Sequence, residues 1–132
     1  MVKIDSKKIV TEFLKYMIES DAITEEVLIK YLHPDFIQHV DGKTLNRDDC
    51  IAHAKSVKSS VNSGKVTFEH VICEQNKVCT VHIPEGVTKE GNTVKFKVIA
   101  YFELKDNKIC LFDELTMMIE GGVSDRDITS RH

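Results

Sequence analysis

Between Val94 and Ile119 the chain alternates apolar and polar residues on either side of Asp106-Asn107. Two such runs around a short turn read as an antiparallel hairpin of long strands. A two-residue turn sets Lys105 opposite Lys108. Leu104 then faces Ile109, Phe102 faces Leu111, Ala100 faces Asp113, Val98 faces Leu115 and Phe96 faces Met117. Side chains alternate along a strand, so the pairs beyond the lysines share one face. Nine of those ten residues are apolar, which predicts that the face is buried; the tenth is Asp113.

A buried carboxylate is costly to leave unpaired. Ala100 opposite Asp113 is small and leaves room beside it, as a pocket wall would: apolar lining with one placed polar group. Burial there favours the protonated carboxyl and suits it to accept or give a proton. Two plainer readings stand beside this one. Asp113 can be a structural carboxylate tied to a neighbouring helix or loop, or a one-residue slip in pairing can put it in water. The opposite face of the hairpin carries Ile99, Tyr101, Phe112 and Met118, more apolar area than a solvated face needs, and predicts a homodimer interface.

A second hairpin, Val66–Glu74 and Val78–Ile83, flanks Gln75-Asn76-Lys77. A three-residue loop places Cys73 opposite Cys79 and Val71 opposite Val81 on the core face. It places His70 opposite His82 on the other face. Two cross-strand histidines resemble half of a metal site, but spacing supplies no third ligand. Neither a metal nor a cofactor is expected.

The first half of the chain is helical. Asp5 or Ser6 can cap a helix over residues 6–20, whose buried stripe is Ile9, Val10, Phe13, Leu14 and Met17. Tyr16 lies on the edge of that stripe with its hydroxyl free to reach inward. A short second helix starts at Thr24 and ends at His33-Pro34. Phe36–Val40 reads as a short strand before an Asp41-Gly42 turn. A third helix follows Asn46, with Cys50, Ile51, Ala54, Val57 and Val61 inward and His53 one position off that stripe. Helices segregated from strands point to an α+β domain spanning residues 1–132, with N-terminal helices wrapped by a curved antiparallel sheet.

The 132 residues suffice for one core without staples. The net charge is −3 and no basic run exceeds Lys7-Lys8, so no footprint for nucleic acid or an anionic membrane is present. No apolar stretch is long enough to span a bilayer. Four dispersed cysteines without metal or redox spacing fit free thiols in the cytoplasm. Walker, GxGxxG, HExxH and GxSxG motifs are absent.

Three helices, then Tyr31-Leu32-His33-Pro34-Asp35-Phe36-Ile37-Gln38-His39, then a turn and a four-strand meander resemble the nuclear transport factor two-like superfamily, a cystatin-like architecture. The segment from Asn107 to Thr116 resembles the last long strand of its SnoaL-like branch. The tail from Ile119 to Gly122, then Asp125–Ile128 and Ser130-Arg131, is similar to the end of small bacterial proteins of unassigned activity in that branch. The resemblance implies a cone-shaped barrel open at one end, dimeric through the outer sheet face. It also implies a fold that hosts cyclases, isomerases, dehydratases, epoxide hydrolases and non-catalytic binders. By resemblance, Asp113 is the pocket acid/base, and Tyr16 and His39 match the tyrosine and carboxylate of ketosteroid isomerase, although His39 is not a carboxylate. The combined expectation is an apolar small-molecule pocket lined by Ala100, Val98, Phe102, Leu115, Phe13, Met17 and His53. Cofactor-free proton transfer there would use Asp113, His39 and Tyr16. The rival reading is a non-catalytic binding or dimerisation module.

Overall fold

A computed structural model describes residues 5–122; the side chains of Asn62 and Ser63 and the tail beyond Gly122, including the Asp125–Arg131 resemblance, lie outside the described residues. The elements run α1 (Ser6–Glu19), α2 (Glu25–Tyr31), β1 (Leu32–Val40), β2 (Lys43–Asn46), α3 (Arg47–Ser60), β3 (Val61–Glu74), β4 (Lys77–Thr88), β5 (Thr93–Lys105) and β6 (Lys108–Glu120). The caps are those the sequence offers. Asp5 accepts from the Lys8 N–H, Thr24 from the Val27 N–H, and Asn46 and Asp49 form a reciprocal capping box.

The six strands form one curved, unclosed sheet in the order β2-β1-β6-β5-β4-β3. The α+β class and the β3–β6 meander are as expected. The sheet is mixed, because β1 pairs with β6 in parallel. That ladder is interrupted between Leu32 and Ile37, where Pro34 has no N–H to donate. Helices cover the concave face. Val10, Phe13 and Leu14 of α1, Leu28 of α2 and Cys50, Ile51 and Ala54 of α3 pack on Val78, Val98, Phe102, Ile109 and Phe112 of the sheet. No helix among the described residues is long and apolar enough to cross a membrane.

Both hairpins depart from the expected register. In β5–β6 the turn is as predicted, with Asp106 and Asn107 at positive φ as a type I′ turn requires, and Lys105 faces Lys108. Leu104 faces Ile109, but Glu103 faces Leu111, so Cys110 is an extra residue. Its thiol donates to the Glu103 carbonyl at 3.3 Å. Beyond this bulge every β6 side chain changes face. Phe102 pairs with Phe112, Tyr101 with Asp113, Ala100 with Glu114 and Ile99 with Leu115.

The reason lies in the core. Ile109 and Phe112 are an odd number of residues apart, so a regular strand cannot bury both. The bulge does: they are 0% and 3% exposed. Phe112 stacks on Phe102 at 4.5 Å and meets Phe13 edge-on at 6.0 Å. Asp113 and Leu115, expected inside, therefore lie outside, and Leu115 is 71% exposed. Phe112, expected on the outer face, is core. Met118 is half-buried against Val94 and Phe96 rather than free for a partner.

In β3–β4 the loop has two residues, Gln75-Asn76, and Glu74 faces Lys77. Asn76 is held by β5: its carbonyl accepts from the Leu104 N–H and its amide donates to the Leu104 carbonyl. The shorter loop puts Val78, Thr80 and His82 inward and Cys79 outward. Cys73 and Cys79 are exposed, free thiols and not a cross-strand pair. His70 pairs with Val81 and is exposed, whereas His82 is buried, so the two histidines do not face each other.

Gly64 of β3 passes the end of α1 so closely that a β-carbon there would collide with the Ile18 carbonyl. Gly64→Ala is expected to destabilise the fold by about 1–3 kcal/mol, the usual cost of overpacking against backbone. Urea denaturation checks this, and an unchanged midpoint would show that β3 does not need this approach.

Candidate functional site

Between the sheet and helices α1 and α3 a cavity opens to solvent. Leu14, Met17, Ala54, Val57, Val98 and Phe112 supply most of its apolar wall, and Gln38, His53, His82 and Glu114 supply the polar groups. An outer chamber shares Met17, Ile18, Val57 and Pro84 and continues toward Phe96, with Lys58 and Glu85 on its wall. Among the described residues no lysine or arginine lines the inner chamber.

Each polar group reaches the cavity through strand or helix geometry. On β1, Phe36, Gln38 and Val40 are buried in alternation. Gln38 pairs with Phe112 and Val40 with Glu114, so Gln38 and Glu114 are diagonal neighbours on one face. The Gln38 amide Nε2 donates to Glu114 Oε2 over 3.5 Å. Thr80 pairs with Ala100, which pairs with Glu114, so β4 joins the same rung. One residue pair along β4, His82 Nδ1 shares a hydrogen bond with Thr80 Oγ1 at 2.8 Å.

Burial sets the protonation of this site. Glu114 is 8% exposed, and its carboxyl is pushed up to about 8. Loss of water contributes most, with nearby Asp41 and Asp113 adding to it and the Gln38 hydrogen bond opposing it. Asp41 is itself fixed by the Thr116 backbone N–H and hydroxyl. Burial pushes His82 down to about 4. At neutral pH the chamber therefore holds a protonated carboxyl and an uncharged imidazole. The Cys50 thiol, raised to about 12 by burial, is no nucleophile.

The expected site residues divide. Met17, His53 and Val98 line the cavity. Phe13, Ala100 and Phe102 are buried core. Asp113 and His39 are brought together as a β1–β6 pair, but outside: both are exposed, and His39 bonds Thr44 Oγ1 at 3.1 Å. The Tyr16 hydroxyl accepts from the Thr24 N–H at 2.8 Å, tying α1 to the start of α2. Glu114, Gln38 and His82 were missed. Strand alternation would have found Gln38, between the apolar Phe36 and Val40. Glu114 needed the bulge, and His82 needed the true loop length.

The acid's raised value has a consequence for stability. Between pH 4.5 and 8 the folded protein holds a Glu114 proton that the unfolded chain has lost, so stability falls as pH rises across that window. His82 acts oppositely: its folded value lies below 6.5, so stability falls as pH drops from 6.5 to 4. The two oppose each other below pH 6.5, which leaves the loss above it to Glu114. Glu114→Gln is expected to flatten the decline in denaturation midpoint between about pH 6.5 and 8. An undiminished decline would place its origin elsewhere.

Comparison with known proteins gives the same architecture. Residues 10–112 match the model of the SnoaL-like domain family; the match ends two residues before Glu114. An uncharacterized protein of Schizosaccharomyces pombe is 36% identical over 126 residues, covering 96% of each chain. An LEH-like epoxide hydrolase of M. tuberculosis superposes with a TM-score of 0.70 at 17% identity, over 84% of this chain and 81% of that one. A de novo designed protein with a curved β-sheet superposes with a TM-score of 0.66 at 18% identity, over 98% of this chain and 94% of its own. Likeness at such identities establishes the fold alone, since an enzyme and a designed scaffold share it.

Proposed function

The chain belongs to the SnoaL-like family, and on that premise we propose that it binds a small, largely apolar metabolite in the inner chamber and moves a proton on it without a cofactor. The observation that carries the reading is Glu114: a buried carboxyl on the wall of an apolar cavity, held protonated near neutral pH. Glu114 takes the role that the sequence reading gave to Asp113. Its proton goes to the ligand oxygen on which negative charge develops. Gln38 orients the carboxyl, and the uncharged His82 imidazole is placed to accept a proton from the same ligand. This chemistry suits an isomerase, a cyclase or a dehydratase. The four free thiols, two of them exposed, support a reducing, cytoplasmic setting.

The same face assignment recasts the dimer. Ile72, Ile99, Leu115 and Met117, each more than half exposed on the outer sheet face, are the side chains for a second copy to cover. Leu115→Lys with Met117→Lys is expected to convert a dimer into a monomer in sedimentation velocity; a monomeric parent would remove this part of the proposal.

The catalytic reading is tested by screening small apolar ketones, hydroxy-ketones and epoxides for turnover. Glu114→Gln is expected to lower the rate on any substrate found by about 10²–10⁴-fold, the usual contribution of a general acid, whereas Asp113→Asn retains it. The reverse pattern would restore Asp113 and sink Glu114. Ligand binding without turnover across the screen would make the protein a non-catalytic binder.

A further inference from the structure

We propose that the outer chamber is an anion subsite: the metabolite is elongate, threads both chambers, and carries at its outer end a carboxylate that pairs with Lys58. This rests on the ligand-binding reading above and names the class of ligand.

The chambers share Met17, Ile18, Val57 and Pro84, so they form one cleft whose ends differ in chemistry. The inner end holds Glu114 and His82 and no cation among the described residues. The outer end is walled by Val61, Val94 and Phe96, with Lys58 and Glu85 as its charged groups. Glu85 is already matched: it pairs across the strands with Lys95, whose ammonium stands 3.4 Å from the carboxylate. Lys58 is not. None of the salt bridges among the described residues includes it, and Asp21 acts on it only from further away.

Backbone geometry fixes the ammonium at the chamber wall. Lys58 Nζ donates to the Ile18 carbonyl at 3.0 Å. That carbonyl is the atom a β-carbon on Gly64 would strike, and Gly64 lines the outer chamber. The charged end of Lys58, and not only its aliphatic stem, therefore sits beside the chamber. Holding an orphan carbonyl in the last turn of α1 is a structural task of its own, but it uses one of the three ammonium donors. The other two are left for water or for a ligand that displaces it. Partial burial disfavours the charged ammonium, a cost that an arriving carboxylate offsets. The cleft also selects the anion. One lysine matches a single negative charge, whereas a phosphate monoester brings about two and meets no arginine or second lysine on either wall among the described residues. An ammonium end would be repelled, and an uncharged end would forgo the pair.

Matched chains make the test. Octanoate, octan-1-ol and octylammonium chloride would be titrated into the full chain at neutral pH and low salt. NMR would follow the Gly86 amide, which reports the outer chamber, and the Phe112 amide, which reports the inner one. Octanoate is expected to shift both amides and to bind about five- to tenfold tighter than the alcohol, as a half-buried charged pair allows. Lys58→Met, which keeps the stem but not the charge, is expected to erase that margin. Binding of the alcohol or the ammonium as tight as that of octanoate would overturn the subsite while leaving the ligand-binding reading intact. So would a margin that survives in Lys58→Met, or an octanoate shift at Phe112 without one at Gly86. If Lys58→Met does not fold, the exposed Asp21 decides: Asp21→Asn removes the anion that shares Lys58 and is expected to tighten octanoate about twofold with the alcohol unmoved. An unmoved octanoate affinity there would overturn the subsite. No shift at Phe112 with any of the three would overturn the ligand-binding reading and this subsite together.

Discussion

One extra residue in β6 governs the interior of this protein. Cys110 bulges out of the β5–β6 ladder, and every side chain after it changes face. The bulge exists because Ile109 and Phe112 both belong in the core, at positions a regular strand would send to opposite sides. Burying two large side chains outweighs the loss of one regular pair in the ladder, since each is worth about 1.5–3 kcal/mol when fully covered. Once Phe112 is stacked between Phe102 and Phe13, Glu114 must point into the concave side and Asp113 must point out. The chemistry of the cavity is thus a by-product of an aromatic packing decision.

That decision places a carboxyl where charge is expensive. The helices that cover the sheet remove water from Glu114, and Asp41 and Asp113 repel its anion. Only the Gln38 amide favours ionisation, and its contact is long. The result is a weak acid on an apolar wall beside an uncharged imidazole, rather than an ion pair. Such an arrangement costs the fold stability as pH rises from the acid's ordinary value toward 8; it resembles a functional compromise more than a structural one.

Much of the architecture was legible in the sequence. Capping residues at Asp5, Thr24 and Asn46 set the helix starts, and Asp41-Gly42 and Asp106-Asn107 set turns, because these signals act over three or four residues. Short β2 is not legible in the sequence because Lys43–Asn46 carries one buried side chain and so no alternation to read. The cavity wall was half legible. Met17, Val98 and His53 follow from helix and strand periodicity, while the family resemblance points to His39, which strand alternation turns outward and Gln38 inward.

By itself, the sequence determined that a carboxylate would face the interior of β6. Asp113 and Glu114 are adjacent, and with strand alternation one of the two must point inward in any register. Which one was settled only by tertiary structure. Leu111, Phe112, Leu115, Met117 and Met118 are apolar on both faces of the strand, so the local pattern permits two registers of similar merit. Phe102 of β5 and Phe13 of α1, contacts far away in the chain, select the one that seats Phe112. The same holds for β4, where Asn76 is drawn into hydrogen bonds with Leu104 and shortens the loop that turns His82 inward. Local physics fixed what kind of group the site would hold, and long-range packing chose the residue.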